Sequence, residues 1–410
     1  MNIRSLTTNY WKQTATVLLG IAVFCFWGYG RPCQVIEREL TQLFLFNGDY
    51  LMERISVPGG TSRYVAEFLG QFFRYIKYGA LIYALLCMLA QQLTWVLLRR
   101  FAMREWLLYA LSMVPAILLC ALACDMDIPL TLQVSVVMVL ALMTLLPEKA
   151  VPGMWCSVLL TIIGYWLAGP IAVLIPLWHL RWWRERDRRG SVVVTVAGLL
   201  LLLTGCVVSS ARLVPYPLWQ VARGIDYRMT QENRIGTYEE MEYDYLQRGK
   251  MWDRIVAKAN RREPQTLACQ NVVRLARWYR HEIGEEELKE CLRYTNRVLT
   301  SSVSAIIMSD LYLQLGMVNM SQRAAFEVME ATPNYNKSAR ALQRQVETCL
   351  ITGQYELALK YIDLLEQTLL YRTWAQQMRV LATHPEQIKT HPVLRPLQEI
   401  YRQTVDVFFI

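Results

Sequence analysis

Apolar residues run in long blocks over the first half of the chain and fall into short amphipathic periods over the second. From Val17 to Ser210 the blocks dominate, whereas from Arg212 onward charged residues recur every few positions and no run could span a bilayer. A spanning helix needs about 20 apolar residues, because its backbone must satisfy its own hydrogen bonds across roughly 30 Å of hydrocarbon. Seven segments reach or approach that length: 14–30, 78–98, 105–123, 128–146, 153–168, 170–183 and 191–211. The fifth and sixth are short and parted only by Gly169-Pro170, so a re-entrant hairpin is the alternative there. The pattern predicts an all-α protein: a transmembrane bundle over 1–211 with a long first outer loop at 31–77, a linker over 212–235, and a soluble helical domain over 236–410.

In the polar half, apolar residues at i, i+3 and i+4 mark successive helices up to about Val407. Leu315-Gly316 followed by Pro333 gives the seventeen-residue interval between turn glycine and closing proline of a tetratricopeptide repeat. Thr352-Gly353-Gln354-Tyr355, followed by Ala358, Tyr361 and Ile362, resembles that repeat's glycine, aromatic, small and bulky positions. Gly316 and Gly353 stand 37 residues apart, close to the repeat period. Gly249-Lys250-Met251-Trp252 reads as an earlier, eroded copy. Such helix pairs stack into arrays that bind a peptide or protein, although a plain helical domain fits the same periodicity.

Composition agrees with this division: 54% of residues are hydrophobic and only 19% charged. The net charge of +9 does not indicate nucleic acid, because many basic residues flank apolar blocks, where they orient helices. Arg99, Arg100 and Arg104 follow the second span, and Arg181, Arg184, Arg186, Arg188 and Arg189 follow the sixth. Even-numbered spans therefore end in the cytoplasm. The expected placement is a multi-pass protein of a bacterial inner membrane, its N-terminus cytoplasmic and its C-terminal domain periplasmic. Gly28-Tyr29-Gly30 is a poor cleavage box at the end of an uninterrupted apolar run, so the first segment reads as a retained anchor. Leu203-Thr204-Gly205-Cys206 is spelled like a lipoprotein box but lies too far along the chain and reads as a helix end. The ten cysteines show no CxxC and no metal-ligand spacing; Cys33 and Cys124 near outer helix ends leave a disulfide open.

The first outer loop is far longer than two helices need. It holds Glu37, Glu39, Asp49, Glu53, Arg54 and Arg63, then a turn at Pro58-Gly59-Gly60, then Tyr64, Phe68, Phe72 and Phe73 at helical spacing. Those aromatics predict a helix over 62–75 lying flat in the membrane interface. An acidic residue followed by an interfacial helix is also the layout of multi-span glycosyltransferases that use polyprenyl phosphates. On that reading Asp49 is the general base, Arg54, Arg63 or Arg74 hold the phosphate, and the outer pair Asp125 and Asp127 is a neighbour. Ordinary interfacial charges with an aromatic anchor explain the same residues. The spans contain no mid-membrane ionisable residue, which argues against an ion-coupled transporter, and His179 reads as interfacial.

In the soluble half Arg340, Arg344, Arg372 and Trp374 form a basic and aromatic set suited to a binding surface, or to ordinary solvated helix faces. His281, His384 and His391 are isolated, and no GxSxG, HExxH, P-loop or Rossmann pattern occurs, so neither a metal nor a cofactor is implied.

Two passages carry a family resemblance. Val57-Pro58-Gly59-Gly60 through Tyr64, Phe68-Leu69 and Gln71-Phe72-Phe73 is one; Glu330 through Ser338, Glu347-Thr348 and Gly353-Gln354-Tyr355 is the other. Together they resemble an integral membrane family common in Bacteroidota, domain of unknown function 6057. The resemblance implies multiple spans followed by an extracytoplasmic helical-repeat domain, and supplies no activity, substrate or catalytic residues. Many members of that family have more spans, which weighs against a full glycosyltransferase core.

Two functions follow. The first is a membrane protein presenting a periplasmic tetratricopeptide-like domain to a protein or peptide. The second is a polyprenyl-phosphate-dependent glycosyltransferase at the outer leaflet with Asp49 as base, suggested because an anchor needs one span rather than seven. The partners implied are the lipid bilayer, a periplasmic protein or peptide and, on the second reading, a polyprenyl-phosphate lipid.

Overall fold

The computed structural model describes residues 3–147, 150–180, 189–228, 235–291, 299–331 and 337–403. Arg181, Arg184, Arg186, Arg188 and Pro333 lie outside the described residues. The helices are α1 (Ile3–Cys25), α2 (Pro32–Glu37), α3 (Gly48–Ile55), α4 (Gly60–Gly70), α5 (Ile76–Leu98), α6 (Glu105–Leu122), α7 (Leu130–Thr144), α8 (Ala150–Ala168), α9 (Leu174–Trp178), α10 (Arg189–Ser210) and α11 (Leu218–Arg223). They continue with α12 (Tyr238–Arg248), α13 (Trp252–Arg261), α14 (Leu267–Tyr279), α15 (Glu285–Cys291), α16 (Ser302–Gln314), α17 (Val318–Ala331), α18 (Ala339–Thr352), α19 (Tyr355–Glu366), α20 (Arg372–Thr383) and α21 (Leu394–Gln403). The described residues contain no strand.

The chain divides into two units. The first comprises residues 1–30 and 47–229, the second 31–46 and 230–410. Residues 31–46, grouped by the sequence with the membrane half, thus pack with the second unit. The break near 229 falls inside the expected linker.

In the first unit five helical stretches are long and apolar enough to cross a membrane: Tyr10–Gly30, Ile76–Leu98, Glu105–Leu122, Cys156–Trp178 and Val192–Ser210. The seven expected segments are therefore not all of bilayer length. The fourth is realised as α7, whose 15 residues are too few. The fifth and sixth form one apolar run that doubles back. Gly169 takes φ +76, the Ser157 hydroxyl meets the His179 ring, and Gly164 faces Ala172 and Ile175. An uninterrupted helix would hold Ser157 and His179 about 33 Å apart, so Gly169-Pro170 is the tip of a hairpin. His179, read from sequence as interfacial, is buried there.

Helix directions follow from pairwise contacts. The Thr16 hydroxyl donates to Gln91 Oε1 at 3.0 Å and accepts from Gln92 Nε2 at 2.8 Å, while Trp27 stacks on Tyr83 at 4.4 Å, so α1 and α5 are antiparallel. Gln91 Nε2 donates to the Ser112 hydroxyl at 2.9 Å and Trp95 meets Tyr109 edge-on, which sets α6 antiparallel to α5. These amide and hydroxyl pairs join largely apolar helices, where an unsatisfied polar group would be costly. Arg100 donates to the carbonyls of Thr144 at 2.7 Å and Leu146 at 2.8 Å, capping the C-terminus of α7 with a cation. Tyr165 donates to Ser210 at 2.9 Å, bringing the ends of α8 and α10 together.

The second unit is a series of helical hairpins. Four of its helices end in the same hydrogen-bonded turn, in which one residue is left-handed and the next N–H reaches back across the last turn. The bonds run from Met251 N to Leu246 O (2.9 Å), Glu282 N to Arg277 O (2.9 Å), Met317 N to Tyr312 O (2.9 Å) and Gln354 N to Cys349 O (2.8 Å). The left-handed residues are Lys250 (φ 52), His281 (φ 58), Gly316 (φ 74) and Gly353 (φ 83). The expected turn glycine Gly249 is instead right-handed at φ −77, and its neighbour Lys250 takes the strained position. From α16 to α20 each helix packs on the next. Their shared core includes Leu311, Val328, Leu342, Val346 and Ile362, all at or below 1% exposure.

Candidate functional site

In the first unit the chain places a charged cluster at the α3–α4 turn. The Asn47 side chain caps α3 by accepting from Tyr50 N at 2.8 Å, and Pro58-Gly59-Gly60 turns the chain into α4. Both glycines are demanded: Gly59 has φ +81, and a Cβ on Gly60 would sit 1.7 Å from the Arg54 carbonyl oxygen. The Gly59 N–H donates to Trp166 O at 2.8 Å, so the turn abuts the α8–α9 hairpin tip. The Tyr227 hydroxyl donates to Ala168 O and accepts from Ile171 N at 3.3 Å, bridging that tip.

Glu67 is the centre of the cluster. It is 1% exposed and accepts from Arg54 Nε at 2.9 Å, from Arg63 Nε at 2.8 Å and from the Tyr50 hydroxyl. Arg63 Nη1 lies 3.3 Å from Asp226, and Arg54 Nη1 2.8 Å from Glu53. Burial alone would lower both guanidinium pKa values; Glu67 beside Arg54, and Asp226 and Glu67 beside Arg63, reverse this and hold them above the usual value. Burial, with the Glu67 charge, pushes the Tyr50 phenol up, which keeps its proton in place for donation. A narrow cleft adjoins the cluster, with Gly59, Thr131, Gly169, Asp226 and Tyr227 among its walls.

The candidate base and cations do not gather around one another. Asp49 is exposed in the first turn of α3, Arg54 and Arg63 turn inward onto Glu67, and Arg74 is half-buried in the turn after α4. Asp125 pairs with Arg228 at 3.5 Å. The face of α4 that packs on α7 and α8 carries Ser62, Arg63, Ala66 and Glu67, with Ser135 donating to Ser62 at 2.8 Å. The side of 62–75 that faces the other helices is thus its charged one. Tyr64, Phe68 and Phe72 lie on the half-buried outer side, while Phe73 leaves that face and is buried against Tyr83 at 5.0 Å. Glu67 was missed in the sequence, although its spacing from Arg63, one helical turn, could have found it.

The second unit holds a larger cluster. Arg340 clamps Asp244 through two bonds of 2.7 and 2.8 Å and also reaches Asp310, while Arg344 bridges Asp310 at 2.7 Å and Glu347 at 2.8 Å. The expectation of an open basic surface fails here: Arg340 and Arg344 are only 14% and 15% exposed and are consumed by carboxylates. Burial would raise the Asp310 pKa, but the two guanidiniums outweigh it and hold it at about 2. Arg372 remains exposed, donating to Glu366 O at 2.9 Å, and Trp374 is half-buried on the same helix.

Segment 31–46 contributes Glu37 to this cluster. The residue is fully buried, neither carboxylate oxygen has a hydrogen-bond donor, and Arg248 Nη1 lies 3.7 Å away. Burial, followed by the facing Asp244 charge, raises its pKa well above the usual carboxylate range. Two remote acids and one central arginine were not paired by any sequence rule.

The chain belongs to a family of unknown function, DUF6057, whose model matches residues 8–410. No curated protein and no solved structure matches it.

Proposed function

We propose that this family member is a multi-pass protein of the bacterial inner membrane whose second unit is a tetratricopeptide-like array that binds protein or peptide on the periplasmic side. The observation that carries the reading is the repetition of one turn. Its left-handed residues, Lys250, His281, Gly316 and Gly353, are spaced 31, 35 and 37 residues apart, around the period of about 34 that stacked helix pairs require. Orientation rests on the arginines that follow the even-numbered apolar segments.

Photo-crosslinking amino acids at Arg372 and Gln376 on α20, a first helix of its hairpin, should trap one recurrent protein or peptide in living cells. The same probe at Glu356 and Lys360 on α19 should not. Equal trapping from both helices, or none from α20, overturns the binding role. An impermeant maleimide should label a cysteine at exposed Lys337 in intact spheroplasts; protection until lysis would reverse the orientation.

The glycosyltransferase reading, with Asp49 as base and Arg54, Arg63 or Arg74 on a polyprenyl phosphate, draws less support. Its two buried cations are committed to Glu67 and Asp226 rather than facing Asp49. Asp49→Ala should leave function intact, measured as full complementation of a deletion strain.

A further inference from the structure

Residues 31–46 meet the second unit as a peptide meets its receptor. Nearly 200 residues of sequence separate them from the helices they touch. Their own structure is slight: six residues of α2, a single 3-10 turn over Arg38–Thr41, then a stretch from Gln42 to Phe46 with no regular secondary structure. Yet Cys33, Val35, Leu40, Leu43 and Phe44 are all between 0% and 6% exposed.

The contacts fall on α12, α18 and the start of α20, each of which opens a hairpin, and on the C-terminal end of α19. The α2 turn packs on α12, the Arg31 guanidinium lies 5.1 Å from the Tyr238 ring, and the 3-10 turn packs on α18. Tyr371, at the start of α20, donates its hydroxyl to Glu39, and Phe46 N donates to Gln367 O at 2.8 Å. Glu37 enters the cluster of Asp244 and Arg248 on α12 and Arg340 on α18. The segment therefore touches several hairpins, of which those opened by α12 and α18 close their own turns without it.

We propose that the face made by these first helices is a peptide-binding surface, occupied in this chain by its own segment Arg31–Phe46 as an intramolecular ligand. The ligand class is an extended peptide with two acidic anchors, Glu37 and Glu39, among aliphatic and aromatic residues. An outside peptide of that pattern binds by displacing the segment. The proposal rests on the reading of the second unit as a binding array.

Hydrogen exchange on the detergent-solubilised full chain tests whether the segment is ligand or core. As a ligand, the amides of 31–46 open in an event separate from, and at least tenfold more frequent than, that of α16 and α18. Exchange only together with those helices makes the segment core and overturns the proposal. A labelled synthetic peptide of residues 31–46 gives the second arm. Full chain carrying Glu39→Ala and Phe44→Ala should bind it at least tenfold more tightly than the native chain, because its surface is more often vacant. A native chain locked by a disulfide between Phe46→Cys and Gln367→Cys should not bind it until reduced. Equal binding to all three, or to none, overturns the proposal. A partner trapped at Arg372 by the locked chain as readily as by the native one would overturn the displacement while leaving the array's binding role standing.

Discussion

The charged cluster of the first unit and that of the second differ in how they are assembled and in whether their charges balance. Arg54, Arg63 and Glu67 come from neighbouring turns of chain, with Asp226 added, and two cations meet two buried or half-buried carboxylates. In the second unit Glu37, Asp244, Asp310 and Glu347 face only Arg248, Arg340 and Arg344. One carboxyl is in excess, and Glu37 is the one left without a donor. The first cluster is electrically closed among its buried members, the exposed Glu53 adding to Arg54 from the surface, and it braces a turn. The second is closed only when a proton joins it, so it can respond to its surroundings.

Removing the central group of each cluster should separate them most strongly. Arg340→Met leaves the buried Asp244 with Arg248 alone at 3.8 Å, while Asp310 keeps Arg344, and is expected to cost about 3–5 kcal/mol, the usual penalty for breaking a buried ion pair from one side. Chemical denaturation of the solubilised chain, followed by hydrogen exchange in α16 and α18, would register it. A loss under about 1 kcal/mol would show that water already reaches the site and that the comparison is misdrawn.

Glu67→Gln is the matching change in the first unit, and it should cost less, about 2–3 kcal/mol. The amide keeps the volume and one acceptor, while Arg54 and Arg63 retain Glu53 and Asp226 as partners. Asp226→Asn should cost under about 1 kcal/mol, since the aspartate is partly exposed and 3.3 Å from its arginine. Thermal unfolding in one detergent ranks the three variants; Asp226→Asn exceeding Glu67→Gln would move the centre of the cluster away from Glu67.

This contrast also explains what the sequence could and could not reveal. Helix pairs with glycine at the turn were readable at Gly316 and Gly353, because no other residue adopts positive φ without cost. The copy at Gly249-Lys250 was readable with its turn placed one residue early, and the one closed by His281 was obscured, because Lys250 and His281 hold the same geometry under strain. In the first unit, aromatic spacing located α4 but said nothing of the charged face that it turns inward. That face is tolerated because α4 satisfies Arg63 internally through Glu67 one turn on. Glu37, Asp244 and Arg340 could not be joined at all, since each lies on a different segment and only the packed array brings them together.

The smallest effect is the one that tests the excess carboxyl. The group facing Glu37 from α12 is Asp244, with Arg248 beside it, and Arg340 projects from α18; Asp310 and Arg344 complete the same network. Because the folded pKa of Glu37 lies above its unfolded value, its contribution is fully present below the unfolded pKa and is lost as pH rises through the folded one. Asp310 has the opposite sign: its contribution is present above the unfolded pKa and disappears as pH falls towards about 2. From mildly acid to mildly alkaline pH only the Glu37 effect operates in this pair, so docking of 31–46 should loosen as pH rises. Glu37→Gln supplies a permanently neutral group with its own N–H donor for Asp244, and should abolish that slope while matching or exceeding native protection at alkaline pH. Hydrogen exchange of residues 31–46 between pH 5 and 9, corrected for intrinsic rates, reads the slope directly. An identical slope in the native chain and in Glu37→Gln would assign the pH response to another group and make the second cluster as closed as the first.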